Sequence, residues 1–247
     1  MDNIFSLEGK IAVVTGASSG LGRQGALALA RHGAKVVAVA RRSEVLVTLE
    51  SEQIAAVTGD VADRVGLEAL VDRIAAPFGM PDIVVHAAGL NLRQVADQVT
   101  DEGWDATLAV NLTAPFALSQ KLVPAMIERG WGRIVNYASV QSLRAFPAGI
   151  AYGASKGGIV QLTRAMAEAW SPHGINANAI GPGFFSTALT QAVFNDPVLT
   201  AHNAAQTCIG RNGQEGDLDG PLVFLCSEAS NFVTGQLLMA DGGFTSK

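Results

Sequence analysis

Ile11-Ala12-Val13-Val14-Thr15-Gly16-Ala17-Ser18-Ser19-Gly20-Leu21-Gly22 decides how the rest of the chain is read. Ile11 to Val14 is a short β-branched run, the mark of a buried strand. Gly20 to His32 has helical periodicity and is closed by Gly33 at the position after the cap, where a left-handed residue ends helices. The turn between them carries glycines in the spacing G-x-x-x-G-x-G, which differs from the commoner G-x-G-x-x-G. Glycines there permit a tight turn and let backbone N–H groups approach a pyrophosphate at the helix N-terminus. A plain tight turn competes with this reading. The position after the first strand of a βαβ unit favours phosphate, and makes Gly16, Ser18, Ser19, Gly20, Leu21 and Gly22 candidate nucleotide-binding residues.

The same alternation continues outward. Lys35 to Ala40 is a fully apolar second strand, as expected for one buried on both faces. Further strands are expected at Ile54 to Thr58, Asp82 to His86, Arg133 to Tyr137, Asn176 to Ile180 and Gln236 to Met239. Helices fall between them at Arg64 to Phe78, from an N-cap at Thr100 to Gly130 with Pro124 as an irregularity, at Ala151 to Trp170, and at Asp217 to Cys226. Phe184 to Arg211 shows no clean period and reads as the longest irregular segment. Right-handed crossovers then give an α/β fold, a doubly wound, Rossmann-type, seven-stranded parallel sheet with helices on both faces. No repeat or linker interrupts residues 1–247, which read as one domain.

Composition narrows the function classes. The chain has 247 residues, 49% of them hydrophobic and 16% charged, with a net charge of −5. No basic run exceeds Arg41-Arg42, so nucleic acid is not the expected partner. Cys208 and Cys226 are isolated, and the four histidines show no metal spacing, so neither a disulfide framework nor a metal site is expected. Met1-Asp2-Asn3-Ile4-Phe5 lacks the charged and apolar regions of a leader, and no run approaches the roughly 18 apolar residues of a membrane span. The expectation is a cytoplasmic protein. The low charged fraction fits a surface partly covered by other subunits.

Two further stretches carry chemistry. An NAD site wants a carboxylate after the second strand for the ribose hydroxyls, whereas an NADP site wants arginine for the 2′-phosphate. Here the strand ends Val39-Ala40-Arg41-Arg42, without an acid. Both arginines would otherwise sit at the positive end of a helix, which a phosphate would relieve. NADP is therefore expected over NAD. Tyr152-Gly153-Ala154-Ser155-Lys156 places a phenol and an ammonium four residues apart, on one face of a helix. A lysine about 4 Å away, at an effective dielectric near 20, favours the phenolate by roughly 4 kcal/mol, or about three pKa units below the usual value of about 10. Such a tyrosine is a usable general acid or base near neutrality.

Thr15-Gly16-x-x-x-Gly20-x-Gly22, Asn111, Ser139, Tyr152-x-x-x-Lys156 and Pro182-Gly183 occur in this order, and together they resemble the short-chain dehydrogenase/reductase family over essentially the whole chain. Ala138 to Ser142, Tyr152 to Gly158 and Pro172 to Asn176 are most similar to its gluconate 5-dehydrogenases and related sugar and polyol dehydrogenases.

The resemblance implies a set of roles. Tyr152 would exchange a proton with the substrate oxygen, with Ser139 holding that oxygen. Lys156 would lower the Tyr152 pKa and bond the nicotinamide ribose, and Asn111 would hold a water linking Lys156 to solvent. Asp60 and Val61 would contact the adenine. Ala88 and Gly89 would allow close approach to the cofactor. Ile180, Pro182 and Gly183 would line the nicotinamide side, with Thr187 on its carboxamide. A homotetramer built on helices around 101–129 and 151–170 is implied as well. One departure is His86-Ala87 where the family has Asn-Asn. In an apolar strand, His86 reads as a hydrogen-bonded core residue.

Gln141, Arg144, Phe184 and Phe185, with Ser139, are the candidate substrate contacts, and Arg93 lies nearby. An arginine there suits a sugar acid, and the phenylalanines suit a hydrophobic ketone. A secondary alcohol or ketone, with NADP(H), is the expected small-molecule chemistry. A 3-oxoacyl carrier-protein reductase uses the same residues but would want a basic patch for its acidic carrier. A non-enzymatic nucleotide sensor could share the fold, yet it would not need the intact set of Asn111, Ser139, Tyr152 and Lys156.

Overall fold

The computed structural model describes residues 3–247; Met1 and Asp2, which begin the stretch read as lacking a leader, lie outside the described residues. Among the described residues, seven strands form one sheet: β1 (Ile11–Thr15), β2 (Lys35–Ala40), β3 (Ile54–Thr58), β4 (Ile83–His86), β5 (Gly132–Tyr137), β6 (Ile175–Pro182) and β7 (Leu237–Ala240). Their order is β3-β2-β1-β4-β5-β6-β7, and every pairing is parallel. The helices are α1 (Gly20–Arg31), α2 (Ser43–Leu46), α3 (Leu67–Ala75), α4 (Asp101–Leu108), α5 (Ala114–Arg129), α6 (Ile150–Trp170), α7 (Gln191–Phe194), α8 (Pro197–Gln206) and α9 (Asp219–Cys226).

Period-two alternation sorts the core. Ala12, Val14, Val36 and Ala38 face one way, onto Ala26 and Leu29 of α1 and Leu222 and Leu225 of α9. Val13, Val37 and Val84 face the other, onto Leu70 of α3, Leu118 of α5 and Met166 of α6. Helices therefore cover both faces, and the strands are buried on each side.

Three expectations change. The helix expected over Arg64 to Phe78 spans only Leu67–Ala75. Asp63 Oδ1 accepts from the N–H groups of Val65 and Gly66 and holds a turn there, while Pro77 has no N–H with which to continue the helical hydrogen bonds. Thr100 does cap α4, its hydroxyl accepting from Gly103 N at 3.1 Å. The irregularity beyond it is not at Pro124, which sits inside α5 on an exposed side. It is a π-helical turn at Ala109–Thr113, between α4 and α5. Phe184 to Arg211 is not irregular throughout: it contains α7 and α8, and Asp196 caps α8 by accepting from Val198 N and Leu199 N. The one-turn α2 is an addition. No helix among the described residues is long and apolar enough to cross a membrane.

Candidate active site

The strand order reverses between β1 and β4, so the turns leaving these strands part and open a crevice at the carboxyl edge of the sheet, where open α/β sheets hold ligands. A cavity of about 330 Å³ occupies that crevice. The glycine turn forms its floor. Gly16 has φ +69°, and a Cβ there would lie 2.7 Å from the Ala88 backbone; one on Gly22 would lie 2.5 Å from the Gly16 carbonyl oxygen. The turns after β1 and β4 thus touch, and only residues without side chains fit between them. Thr15 Oγ1 ties them further, accepting from Ala88 N at 3.2 Å. A backbone cradle a Cβ would fill is what a pyrophosphate needs for close approach.

Of the expected nucleotide contacts, Gly16, Ser19, Gly20, Leu21, Gly22, Arg41, Asp60, Val61, Ala88, Gly89, Pro182, Gly183 and Thr187 line the cavity, together with Tyr152 and Lys156. Ser18, Arg42 and Ile180 do not. Ile180 is fully buried in the core beside Val135 and Tyr137. Arg42 is folded back: its guanidinium donates to Ser18 Oγ at 3.0 Å and to Ser19 Oγ at 2.8 Å. The helix-dipole argument for the arginine pair also lapses, because α2 is a single turn of four residues. What remains is a pair of cations at the rim. Arg41 lies exposed 3.8 Å from Asp60, and Arg42 is pinned by two hydroxyls of the glycine turn.

The catalytic candidates come from three elements. Ser139 follows β5, and Tyr152 and Lys156 sit one turn apart near the start of α6. All three line the cavity. Ser139 is fixed on both sides. Its hydroxyl accepts from Gln141 N at 3.1 Å, and its N–H donates to Ser142 Oγ, which donates to the Lys156 carbonyl at 2.6 Å. The turn bearing Ser139 is thereby locked to the helix bearing Tyr152 and Lys156.

Asn111 is not on the cavity wall. The π turn aims its side chain at the loop after β4 and at α6. Its Nδ2 donates to Leu90 O and to Ser155 Oγ, each at 2.9 Å, and its Oδ1 accepts from Leu90 N at 2.8 Å. With those bonds made, the side chain is a brace and has no free donor for a water.

Burial dominates the electrostatics of the pair. Lys156 Nζ donates to the Tyr137 carbonyl at 2.5 Å, and burial pulls its pKa down to about 8. Burial pushes the Tyr152 phenol above its ordinary value, while a hydrogen bond from Ser139 and the positive charge of Arg93 pull it back. The Lys156 ammonium is turned to the end of β5 and lies 5.7 Å from the phenol ring centre.

At the substrate end Gln141, Phe184 and Phe185 line the cavity, but Arg144 does not. Its guanidinium donates to the Phe244 carbonyl at 3.3 Å instead. Arg93 takes the place expected for it: it lines the cavity and donates to Leu189 O at 3.3 Å, from a backbone with φ +52°. His86 is a buried core residue whose Nε2 bonds Ser119 Oγ at 2.8 Å, with its pKa pushed down to about 3 by burial. Ser142 and Ser155, which brace the site, carried no spacing signal of their own. A serine between Tyr152 and Lys156 on the same helix was the one hint at Ser155.

The family model described as Enoyl-(Acyl carrier protein) reductase matches residues 16–245. The chain is 40% identical over 252 residues to the gluconate 5-dehydrogenase of Gluconobacter oxydans, covering 98% of this chain and 97% of that one. It is 39% identical over 251 residues to the 2-dehydro-3-deoxy-D-gluconate 5-dehydrogenase of Escherichia coli, covering 98% of each. A gluconate 5-dehydrogenase from Burkholderia cenocepacia, solved in complex with NADP and tartrate, matches with a TM-score of 0.94 at 37% identity, over 99% of this chain and 98% of that one.

Proposed function

The chain belongs to the short-chain dehydrogenase/reductase family, and from that premise we propose that it is an NADP(H)-dependent oxidoreductase interconverting a secondary alcohol and a ketone. The observation that carries this is the meeting, in one cavity, of a backbone cradle at Gly16 and Gly22 with Ser139, Tyr152 and Lys156. Its relatives in Gluconobacter and Escherichia are sugar-acid dehydrogenases, and the Burkholderia relative was crystallised with NADP and tartrate. The proposed substrate is accordingly a sugar acid, with a polyol or a small ketone or diketone as further members of the class.

The nicotinamide, when bound, supplies or accepts the hydride. The residues of this chain manage everything else. The turns at Gly16 to Gly22 and Ala88-Gly89 hold the diphosphate. Arg41, free to turn from its long contact with Asp60, would meet the 2′-phosphate, with Arg42 held on the Ser18 and Ser19 hydroxyls, Asp60 and Val61 at the adenine and Thr187 at the carboxamide. As a carbonyl is reduced, charge builds on its oxygen; Ser139 and Tyr152 direct O–H groups at that oxygen, and Tyr152 gives up its proton. Lys156 bonds the ribose and carries positive charge below its pKa of about 8. Arg93 at the cavity mouth takes the carboxylate, and Gln141, Phe184 and Phe185 bound the carbon chain.

We also propose that the chain works in the cytoplasm as one domain over residues 1–247, assembled as a homotetramer. The exposed apolar residues Phe116 and Ile127 on α5 would be covered in that assembly, and static light scattering reads its mass. A panel of sugar acids, polyols, diketones and aryl ketones, each tried with NADPH and NADH or their oxidised forms, tests the activity by nicotinamide absorbance. Turnover of a sugar acid with NADP(H) is expected. Preference for aryl ketones, or for NAD(H), would overturn the substrate or cofactor assignment.

A further inference from the structure

Phe244 is fully buried, yet it belongs to none of the three apolar core clusters that hold the sheet and helices together. Its aromatic neighbours come from two loops. The Phe184 ring lies 5.5 Å away, tilted by 59°, and the Phe146 ring lies 6.0 Å away and stacked. Phe146 and Phe184 also meet edge-on at 6.0 Å. Such contacts have a preferred geometry, so each ring constrains the others beyond simple burial. Phe146 stands on the loop leading into α6, just before Tyr152, and Phe184 is part of the cavity wall.

The turn carrying Phe244 (Phe244–Ser246) is itself held rigidly. Asp241 accepts from Gly243 N, Thr245 N and Thr245 Oγ1. Arg144 donates to the Phe244 carbonyl and lies 5.1 Å over its ring, which gives that displaced arginine a role. The same turn grips the far end of the segment beginning at Phe184. Ile209 N donates to Gly242 O at 3.2 Å, and Lys247 Nζ donates to Ala205 O and Thr207 O. One turn thus anchors both feet of the segment 184–209, which meets the opposite rim near its start, where the Leu189 carbonyl accepts from Arg93.

We propose that Phe244 is a positioning residue for substrate recognition: it fixes the Phe184 ring, and with it the substrate-side wall, without touching the cofactor end. The inference rests on the oxidoreductase reading above. Phe244→Ala and Phe184→Ala, singly and together, are compared with the wild type using whichever panel member turns over best. Phe244→Ala is expected to raise KM for that substrate about tenfold, a size typical of coupled neighbours. The NADP+ dissociation constant should move less than about twofold, and the double variant should cost no more than Phe184→Ala alone. Phe244→Leu, which keeps most of the volume but not the ring, should raise KM in the same direction and carries the test if the alanine variant does not fold. Unchanged KM, additive effects in the double variant, or an equal loss of NADP+ binding would each overturn the assignment. Absence of wild-type turnover across the panel would instead overturn the oxidoreductase reading, and this inference with it.

Discussion

Tyr152 is pulled in two directions, and the balance governs when it can donate or accept a proton. Burial disfavours the phenolate, while the Ser139 hydroxyl and the Arg93 cation favour it. The spacing of Tyr152 and Lys156 on one helix face was legible in the sequence. The direction of the ammonium was not, because its acceptor is a backbone carbonyl on β5, far away along the chain. Arg93 and Arg144 looked equivalent at the ends of strands; only the folded loops decide that one borders the cavity and the other clasps Phe244. Two variants test this balance. Tyr152→Phe keeps the ring and removes the proton, so kcat should fall by about 100-fold or more while NADP+ still raises the melting temperature. Retained turnover would exclude Tyr152 as the acid. Arg93→Ala removes a cation that favours the phenolate, so the phenol pKa rises. The limb of alcohol oxidation that climbs with pH should then move to higher pH, as read from kcat/KM against pH. A limb that stays in place would remove Arg93 from the electrostatics of the site.

At the scale of elements, strands were the most legible. Runs buried on both faces carry a continuous apolar signal, and β2 and β3 fall at their expected bounds. Boundaries set by capping chemistry were legible where a single side chain does the work, as at Thr100. They were not where a turn precedes the helix, as at Asp63 before α3. Nor was the π turn at Ala109–Thr113 legible, since it depends on Asn111 reaching both Leu90 and Ser155 across the fold. His86, which replaces the family's asparagine on β4, links that strand to α5 through Ser119. It remains neutral in the fold to about pH 3, whereas unfolded it titrates at about 6.5. Between those values the unfolded chain binds a proton the folded one does not, so stability falls as pH falls through that window. From pH 6.5 to pH 5 the loss due to this residue is about 2 kcal/mol. Urea unfolding of wild type and His86→Asn at pH 7 and pH 5 should show the variant losing less stability on acidification. Equal losses would mean that His86 charges without penalty.

For the whole molecule, the cavity lies between the two halves of the sheet. Its walls come from Arg41 and Asp60 beyond β2 and β3 on one side, and from Ser139 and Pro182 beyond β5 and at the end of β6 on the other. A nucleotide seated there contacts both halves at once, and the unfolded chain offers no such surface. Binding should therefore stabilise the fold as a unit. At a concentration of about 100 times Kd, this linkage is worth about 2.7 kcal/mol. For a chain of this length that corresponds to a rise in melting temperature of about 5 to 10 °C. The rise should be larger with NADP+ than with NAD+ at equal concentration, because only the former presents a phosphate to the cations at the rim. Arg41→Asp would place a second carboxylate next to Asp60 and repel that phosphate, while leaving an acceptor for ribose hydroxyls. The order of the two shifts should then invert. Arg41 is exposed and its contact with Asp60 is long, so the variant should melt near the wild type when no nucleotide is added, which keeps the comparison clean. Equal shifts with both nucleotides in the wild type, or an order indifferent to Arg41→Asp, would remove the 2′-phosphate from this rim.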